Sequence, residues 1–207
     1  MATDLATIRA QVQGDLDDAG AATWTAGEID RAIRRALREY SVHCPYRTDG
    51  TITVATAGRE QSLSTLTGLC DVERVWFPYY SAEPDLLPAW VNFEMRLGAS
   101  LFLLSRDSPA VGEKMRVYYW KMQTIKDLDS AAATTLPVVD EDLIALGAAG
   151  YAALEMSRSA VGVVNVSGYT PLHWRDWAEC RLRDFEAGVY AAMGRLALAA
   201  SGAESME

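Results

Sequence analysis

The spacing of the apolar residues changes twice along this chain, and these changes limit its possible folds more than any other feature. Apolar residues recur every three or four positions up to residue 49, alternate in short runs over 50–126, and return to helical spacing over 127–200. A period near 3.6 indicates helices and a period of 2 indicates strands. The pattern predicts an α+β fold, mainly α. We expect a four-helix bundle-like core (1–49 and 127–200), a small antiparallel β-sheet inserted between the second and third helices (50–126), and a flexible acidic tail (201–207).

The second helix has the clearest signals of its two ends. Thr25 and Glu28 form a capping box, and Trp24 lies before the cap with Ile29 four places after it, which is the arrangement of a hydrophobic staple. Because Pro45 disfavours helical geometry in the residue before it, the helix is expected to end just ahead of that proline. The apolar face of this helix comprises Ile29, Ala32, Ile33, Ala36, Leu37 and Tyr40.

The first and third helices are marked by a cap and by glycines. Thr3 or Asp4 can cap the short first helix. The third helix is expected over 139–157 and contains Gly147 and Gly150. A glycine inside a helix costs about 1 kcal/mol relative to alanine. These two glycines therefore predict that another backbone packs closely against this helix.

The fourth helix is the longest. It is expected to begin at Pro171, because proline fits the first turn of a helix. Its apolar stripe comprises Trp174, Ala178, Leu182, Phe185, Val189, Ala192 and Leu196.

The region between the second and third helices is predicted to form strands. Several segments there are rich in β-branched and aromatic residues and are separated by turns with glycine and proline. The segment 90–104 could alternatively be helical. The predicted strands are 51–54, 72–77, 89–97, 101–104 and 114–122.

The charge balance argues against a protein that grips nucleic acid over a broad surface. The chain has 28 acidic and 19 basic residues and a net charge of −9, whereas broad DNA binding requires lysine and arginine to neutralise phosphates. Cys44, Cys70 and Cys180 are too few and too widely spaced for a disulfide framework, which favours a reducing compartment. We expect no membrane partner, because no apolar run approaches a spanning length and the first residues lack a signal-peptide pattern.

No catalytic, metal or cofactor site is predicted. His43 and His173 are the two histidines, and together with the cysteines they form no pair at the spacing of a zinc site. Nucleophile and phosphate-binding motifs are absent. The acidic runs at 127–129 and 140–142 fit a polar linker and a helix start.

Four arginines lie on one face of the second helix, within about 100° of arc and opposite the apolar face. One interpretation is a solvated face balanced by neighbouring acidic residues. The alternative is a surface that meets an acidic neighbouring subunit or DNA phosphates. This arginine stripe consists of Arg31, Arg34, Arg35 and Arg38.

Aromatic residues are frequent in the sheet region. They could stack nucleic-acid bases, but few basic residues surround them, which favours packing in a core or against another subunit. The set is Trp76, Phe77, Tyr79, Tyr80, Tyr118, Tyr119 and Trp120.

The order of these elements resembles the head–tail adaptor (connector or head-completion) proteins of tailed bacteriophages. The likeness covers residues 4–198. The segments that carry it are the acidic turn Gly14–Asp18, the helix start Trp24–Ile29, Pro45, the strand end Arg116–Trp120, Leu136–Pro137 and the alanine- and glycine-rich Leu143–Ala149.

This resemblance implies a structural virion protein without enzymatic activity or cofactor, located at the head–tail interface and assembled in the host cytoplasm. It implies a ring, usually of twelve copies, that docks under the portal protein and extends the DNA channel for transient, non-specific DNA passage. The ring offers a platform for a head-closure (stopper) or tail protein. Loops of such proteins often reach into the portal, so the glycine-broken segment 159–170 becomes the candidate docking loop, with Val163, Val164, Asn165, Val166 and Tyr169.

Two other functions fit the sequence. One is an enzyme whose site lies between sheet and bundle and lacks a recognisable motif. The other is a non-viral helical protein-binding module. An enzyme would lose turnover when one pocket carboxylate is changed, whereas an adaptor would lose docking when segment 159–170 or the tail is removed.

Overall fold

The chain divides into two compact units. The helical unit contains Met1–Pro45 and Gln123–Glu207, and the β unit contains Tyr46–Met122. The structure is a computed structural model. It describes residues 3–20, 22–82, 87–96, 100–105, 108–159 and 171–204, with the backbone alone at residues 159 and 198–204.

Four α-helices make up most of the described part of the helical unit, as the sequence predicted. The last of them continues through Glu204, four residues into the expected tail. Short 3-10 turns occupy Leu128–Ser130 and Val138–Asp140. The helices are α1 (Leu5–Asp15), α2 (Ala26–His43), α3 (Glu141–Ser159) and α4 (Pro171–Glu204).

Helix α2 forms as its sequence signals predicted. The Thr25 hydroxyl accepts a hydrogen bond from the Glu28 backbone N–H, and the Glu28 carboxylate accepts one from the Thr25 N–H at 2.8 Å. Trp24 and Ile29 are both buried, and so is every other residue of the predicted apolar face. Helix α2 is therefore held at its start by its cap and along its length by the core.

Helices α3 and α4 pack closely at glycines, but the explanation expected for those glycines was wrong in one respect. A β-carbon added at Gly147 would lie 2.7 Å from the ring of Phe185, and one added at Gly150 would lie 3.0 Å from the Leu182 side chain. The space at these glycines is thus filled by side chains of α4, not by another backbone. Phe185 is fully buried as a result.

The apolar stripe of α4 faces the helical core for most of its length. Ala178, Phe185, Val189 and Ala192 are buried, and Trp174 and Leu182 pack against the same core. Leu196 was also expected in this stripe, but 42% of its surface is exposed. None of the described helices is both long and apolar enough to cross a membrane.

The described part of the β unit consists of strands in two small antiparallel sheets. One sheet has the strand order β1-β7-β3-β4 and the other has the order β2-β6-β5. The strands are β1 (Tyr46–Thr53), β2 (Glu60–Ser62), β3 (Leu69–Trp76), β4 (Trp90–Val91), β5 (Phe93–Arg96), β6 (Ser100–Leu103) and β7 (Lys114–Lys121).

The α+β class with an antiparallel sheet insertion is confirmed, with two differences in detail. The insertion has two sheets where one was expected. The first strand begins at Tyr46, because residues 46–49 continue the ladder with Lys121 through Tyr118. The described residues of segment 90–104 lie in strands or in short connections outside any helix, which excludes the helical alternative for them.

The core of the β unit comes from alternate residues of its strands. On β7, Met115, Val117 and Tyr119 are buried, whereas the residues between them are partly exposed. Leu101 and Leu103 of β6 are also fully buried and belong to the same cluster. The strand period of two thus divides β7 into an inner and an outer face.

Candidate protein-interaction surfaces

The arginine stripe lies on the solvent face of α2. Arg31, Arg35 and Arg38 are exposed and Arg34 is half-exposed, while the opposite face of the helix is buried. The stripe therefore has the placement that the sequence predicted. Whether it serves as an interface stays a prediction.

Two of the four arginines have partners within the helical unit. The Arg34 Nε donates a hydrogen bond to Asp129 Oδ1 at 2.7 Å. The Arg35 guanidinium lies over the Tyr151 ring, 4.1 Å from its centroid. Arg31 and Arg38 form no ion pair with any described residue. These two guanidinium groups can therefore accept an anionic partner without breaking an existing ion pair.

The candidate docking loop lies outside the described residues. This applies to Val163, Val164, Asn165, Val166 and Tyr169 alike.

The turn after α1 is built around the carboxylate of Asp18. This buried carboxylate accepts hydrogen bonds from the backbone N–H groups of Ala22 at 2.9 Å, Thr23 at 3.1 Å and Trp24 at 3.0 Å. The bond from Trp24, together with those from Thr23 and Ala22, lowers the pKa of Asp18 below its ordinary value. The turn fixes the position of Trp24 next to the start of α2.

A pocket of about 500 Å³ lies beside this turn. Its aromatic part is formed by Trp24 together with Trp174 and Trp177 of α4, and the rings of Trp24 and Trp174 meet edge to face with centroids 5.4 Å apart. Its polar part includes the exposed carboxylates of Asp15 and Asp17. The full lining is Asp15, Leu16, Asp17, Thr23, Trp24, His173, Trp174 and Trp177.

Sequence reasoning did not identify this tryptophan pocket. It explained Trp24 as a hydrophobic staple and Trp174 as part of the α4 stripe. Trp174 and Trp177 are three residues apart, so they share one side of a helix, and that spacing was the available signal. Nothing in the local sequence, however, indicated that this side of α4 faces the turn before α2.

A buried carboxylate in the 3-10 turn before α3 joins α2 to α4 at another point of the same unit. The Tyr40 hydroxyl of α2 donates to Asp140 Oδ2 at 2.7 Å, and Arg195 of α4 donates to Asp140 Oδ1. Burial, and then the hydrogen bond and charge of Asp140, raise the pKa of Tyr40 well above its ordinary value. Asp140 was expected to interact with the start of α3, and the structure gives it this additional tertiary role.

The aromatic residues of the β unit divide into a buried and an accessible set. Trp76, Phe77, Tyr79 and Tyr119 are buried, which agrees with the packing interpretation for these four. Tyr80 is 55% exposed. The aromatic cluster is therefore only partly available for contacts with another molecule.

An accessible face of the larger sheet combines tryptophan, tyrosine and arginine. The Trp90 and Tyr118 rings lie 5.6 Å apart. Arg74 lies 5.6 Å from the Trp90 centroid, and Arg47 lies 6.0 Å from the Trp120 centroid. Sequence reasoning missed Arg47 because the strand was expected to start later; in the observed register Arg47 is directly opposite Trp120.

The histidine and cysteine residues lie in different surroundings. The His43 ring lies 5.6 Å from that of Tyr190, whereas the neighbouring Cys44 is buried with its thiol toward the Val189 carbonyl. Burial raises the pKa of the Cys44 thiol. Cys70 and Cys180 are exposed, and in the part of the chain that the structure describes no three His, Cys, Asp or Glu side chains lie close enough to hold a metal ion.

Comparison with known proteins gives one match to a family. The model of the SU10 adaptor protein family matches residues 3–199, nearly the whole chain. No curated protein matches. A solved chain titled "Neck of empty GTA particle computed with C6 symmetry" covers 87% of this chain and 88% of its own length, at 13% identity and a TM-score of 0.31. That TM-score is too low to support an argument about fold or function.

The family match bears directly on the resemblance drawn from the sequence. It spans both units and includes the acidic turn, the capped α2 and the α3–α4 pair. The resemblance to phage adaptor proteins is thereby confirmed. The chain belongs to the SU10 adaptor protein family.

Proposed function

We propose that this protein is a structural component of a virion that joins the head of a phage or phage-like particle to its tail. In this role it docks as a ring under the portal protein and extends the DNA channel. The exposed end of the ring then receives a head-closure (stopper) or tail protein. The single observation that carries this proposal is the match of the adaptor family to residues 3–199.

The surfaces of the chain suit a protein that is covered by neighbours. The arginine stripe of α2 offers two guanidinium groups without an ion pair among the described residues. The accessible sheet face offers Trp90, Tyr118 and Trp120 with arginines beside them. Tryptophan, tyrosine and arginine are the residues that most often dominate the binding energy of protein interfaces.

The charge of the chain suits a channel through which DNA moves. A ring of about twelve copies, each with a net charge of −9, would repel DNA phosphates on average and let the duplex pass without tight binding. DNA contact in this proposal is transient and independent of sequence. The protein needs no catalytic residue or cofactor, is assembled in the host cytoplasm, and ends in the virion at the head–tail interface.

Imaging tests the docking step directly. The purified chain is mixed with portal-containing heads of the same particle, and the product is examined by electron microscopy. We expect an additional ring below the portal, whose copy number can be counted in the same images. Heads assembled without portal protein are the control and should gain no ring. A chain that leaves portal-containing heads unchanged at micromolar concentration contradicts the proposal.

The candidate docking loop is tested in the same assay. A V163D/V166D variant is expected to reduce the fraction of heads with a ring, because it places charge on an apolar contact segment. Its thermal unfolding is measured in parallel. Ring formation equal to that of the unaltered chain removes these residues from the proposed contact.

A further inference from the structure

We propose that the tryptophan pocket binds an arginine of a neighbouring copy of this chain, with Arg38 of the arginine stripe as the inserted residue and Arg31 beside it. The inference rests on the proposed function, because it takes the copies to lie side by side in a ring. It adds the surfaces through which adjacent copies recognise each other.

The pocket has the chemistry of a site for a planar cation. Trp174 and Trp177 are half-buried and provide the aromatic surface, with the buried Trp24 behind them. Arg181 of the same helix lies over the Trp177 ring, 5.1 Å from its centroid, as expected from the cation–π attraction between guanidinium groups and tryptophan. Asp15 and Asp17 provide carboxylates at the same opening. A guanidinium can stack on a ring and donate hydrogen bonds to a carboxylate at the same time.

The carboxylates of the pocket are available. Asp15 and Asp17 are exposed and form no ion pair with any described residue. Asp18 differs from them, because its oxygens already accept the backbone hydrogen bonds of the turn. The pocket therefore presents two unneutralised negative charges on a framework that Asp18 holds in place.

The arginine stripe is the complementary surface. Arg34 and Arg35 are engaged with Asp129 and Tyr151, whereas Arg38 is exposed and lacks an ion pair within the described residues. Arg38 lies about 20 Å along the helix axis from the Thr25 cap, at about 1.5 Å per residue. This is farther than an arginine side chain reaches. Arg38 therefore cannot enter the pocket of its own copy, and in this proposal the inserted Arg38 comes from another copy.

The arrangement explains how acidic copies can associate. Two chains with a net charge of −9 repel each other on average, so close contact needs local pairing of opposite charges. The pocket and the stripe are different surfaces of the same chain. A contact between the pocket of one copy and the stripe of the next is therefore head to tail. Head-to-tail contacts generate rings when the rotation between copies closes.

Chemical cross-linking tests the contact itself. In an R38K variant, a carbodiimide can join the new amine to a carboxylate that touches it. Isotope-labelled and unlabelled chains are mixed, and links between copies are identified by mass spectrometry in the concentrated free chain and in portal-bound rings. We expect links from position 38 to Asp15 or Asp17 between copies. R158K is the matched control, because Arg158 is an exposed arginine of the same unit outside the stripe; it should give no link to the pocket.

Charge exchange tests whether the two surfaces act as a pair. R31E/R38E and D15K/D17K should each weaken association between copies about tenfold or more, which corresponds to about 1.4 kcal/mol per factor of ten. A chain that carries all four changes should regain most of the loss, because each contact is again between opposite charges. R158E should have no effect of this size.

The outcomes separate this inference from the proposed function. Rings that form on the portal without the position-38 link, and that tolerate both charge reversals, overturn the pocket–stripe contact and leave the adaptor role intact. If D15K/D17K abolishes ring formation on the portal but R31E/R38E does not, the pocket binds a cation of the portal. This result also overturns the pocket–stripe contact. If no ring forms on the portal, the proposed function fails. The cross-linking of the concentrated free chain then tests the inference separately. If the link between copies is absent there, the pocket–stripe contact is overturned as well.

Discussion

The arginine stripe of the helical unit differs from the arginines on the sheet face of the β unit. In the β unit, Arg47 pairs with Glu73 at 2.7 Å and Arg116 pairs with Asp49 at 2.8 Å, and aromatic rings lie beside both guanidinium groups. In the helical unit, Arg38 of the stripe is exposed without such a partner among the described residues. Other arginines of the helical unit are paired as well, for example Arg9 with Asp30 and Arg195 with Asp140. The difference is therefore confined to the stripe, where Arg31 and Arg38 keep positive charge available for another chain.

The units also differ in how their cores are held. In the helical core, side chains fill the space left by glycines. Phe185 lies against Gly147, and Leu143 lies against Gly188. The core of the β unit depends on alternate strand residues such as Met115, which the ladder places on one face. A change in one core should therefore be felt first within its own unit.

The largest effect is expected from core truncation. F185A should lower the free energy of unfolding of the helical unit by about 3–5 kcal/mol, because it removes a fully buried ring and leaves a cavity. M115A should lower that of the β unit by about 2–5 kcal/mol. Native-state hydrogen exchange checks both variants. Equal loss of protection in both units for either change would contradict their separation into two cooperative units.

A smaller effect is expected from added volume at a helix glycine. G147A should destabilise the helical unit by about 1–3 kcal/mol, because the new methyl group overlaps the Phe185 ring. Alanine's better helix propensity, worth about 1 kcal/mol, offsets only part of this. The control is G194A on α4, where no described atom outside the nearby helix backbone lies within 4 Å of the added carbon. It should stabilise by up to about 1 kcal/mol in urea unfolding.

The turn that supports the tryptophan pocket should make stability depend on pH. The pKa of Asp18 is lowered in the folded chain, so its contribution is fully present above the ordinary aspartate value of about 4 and is lost as pH falls through the lower folded value. D18N should therefore lower the thermal midpoint at neutral pH and change it less in acid. D17N is the matched control. A D18N loss that is the same at both pH values would contradict this role.

The smallest expected effect is the difference in stability between removing a paired arginine and removing an unpaired one. R47A should destabilise the β unit by about 0.2–1 kcal/mol, the usual value of an accessible ion pair. R38A should change stability by less than about 0.5 kcal/mol while still weakening ring formation. Chemical unfolding measures the first quantity and portal docking the second. Comparable destabilisation by R38A and R47A would remove the contrast between the arginine stripe and the paired sheet arginines.

Much of the helical unit could be predicted because its signals are local. The capping box of Thr25 and Glu28, the proline after α2 and the apolar spacing of α4 each act within a few turns of helix. The arginine stripe followed from the same periodicity. The β unit was predicted in kind but not in detail, because strand pairing joins residues far apart in sequence. That pairing placed Arg47 opposite Trp120.

The sequence alone determined the α+β class, the ends of α2 and the family to which the chain belongs. Local hydrogen bonds and hydrophobic periodicity depend on residues that are close together in the sequence, so they can be recognised without a structure. Tertiary structure alone decided that Phe185 fills the space at Gly147, that Asp140 joins Tyr40 to Arg195, and that three tryptophans share a pocket with Asp15 and Asp17. Those contacts depend on which helix faces which, and that choice is made by packing of the whole core.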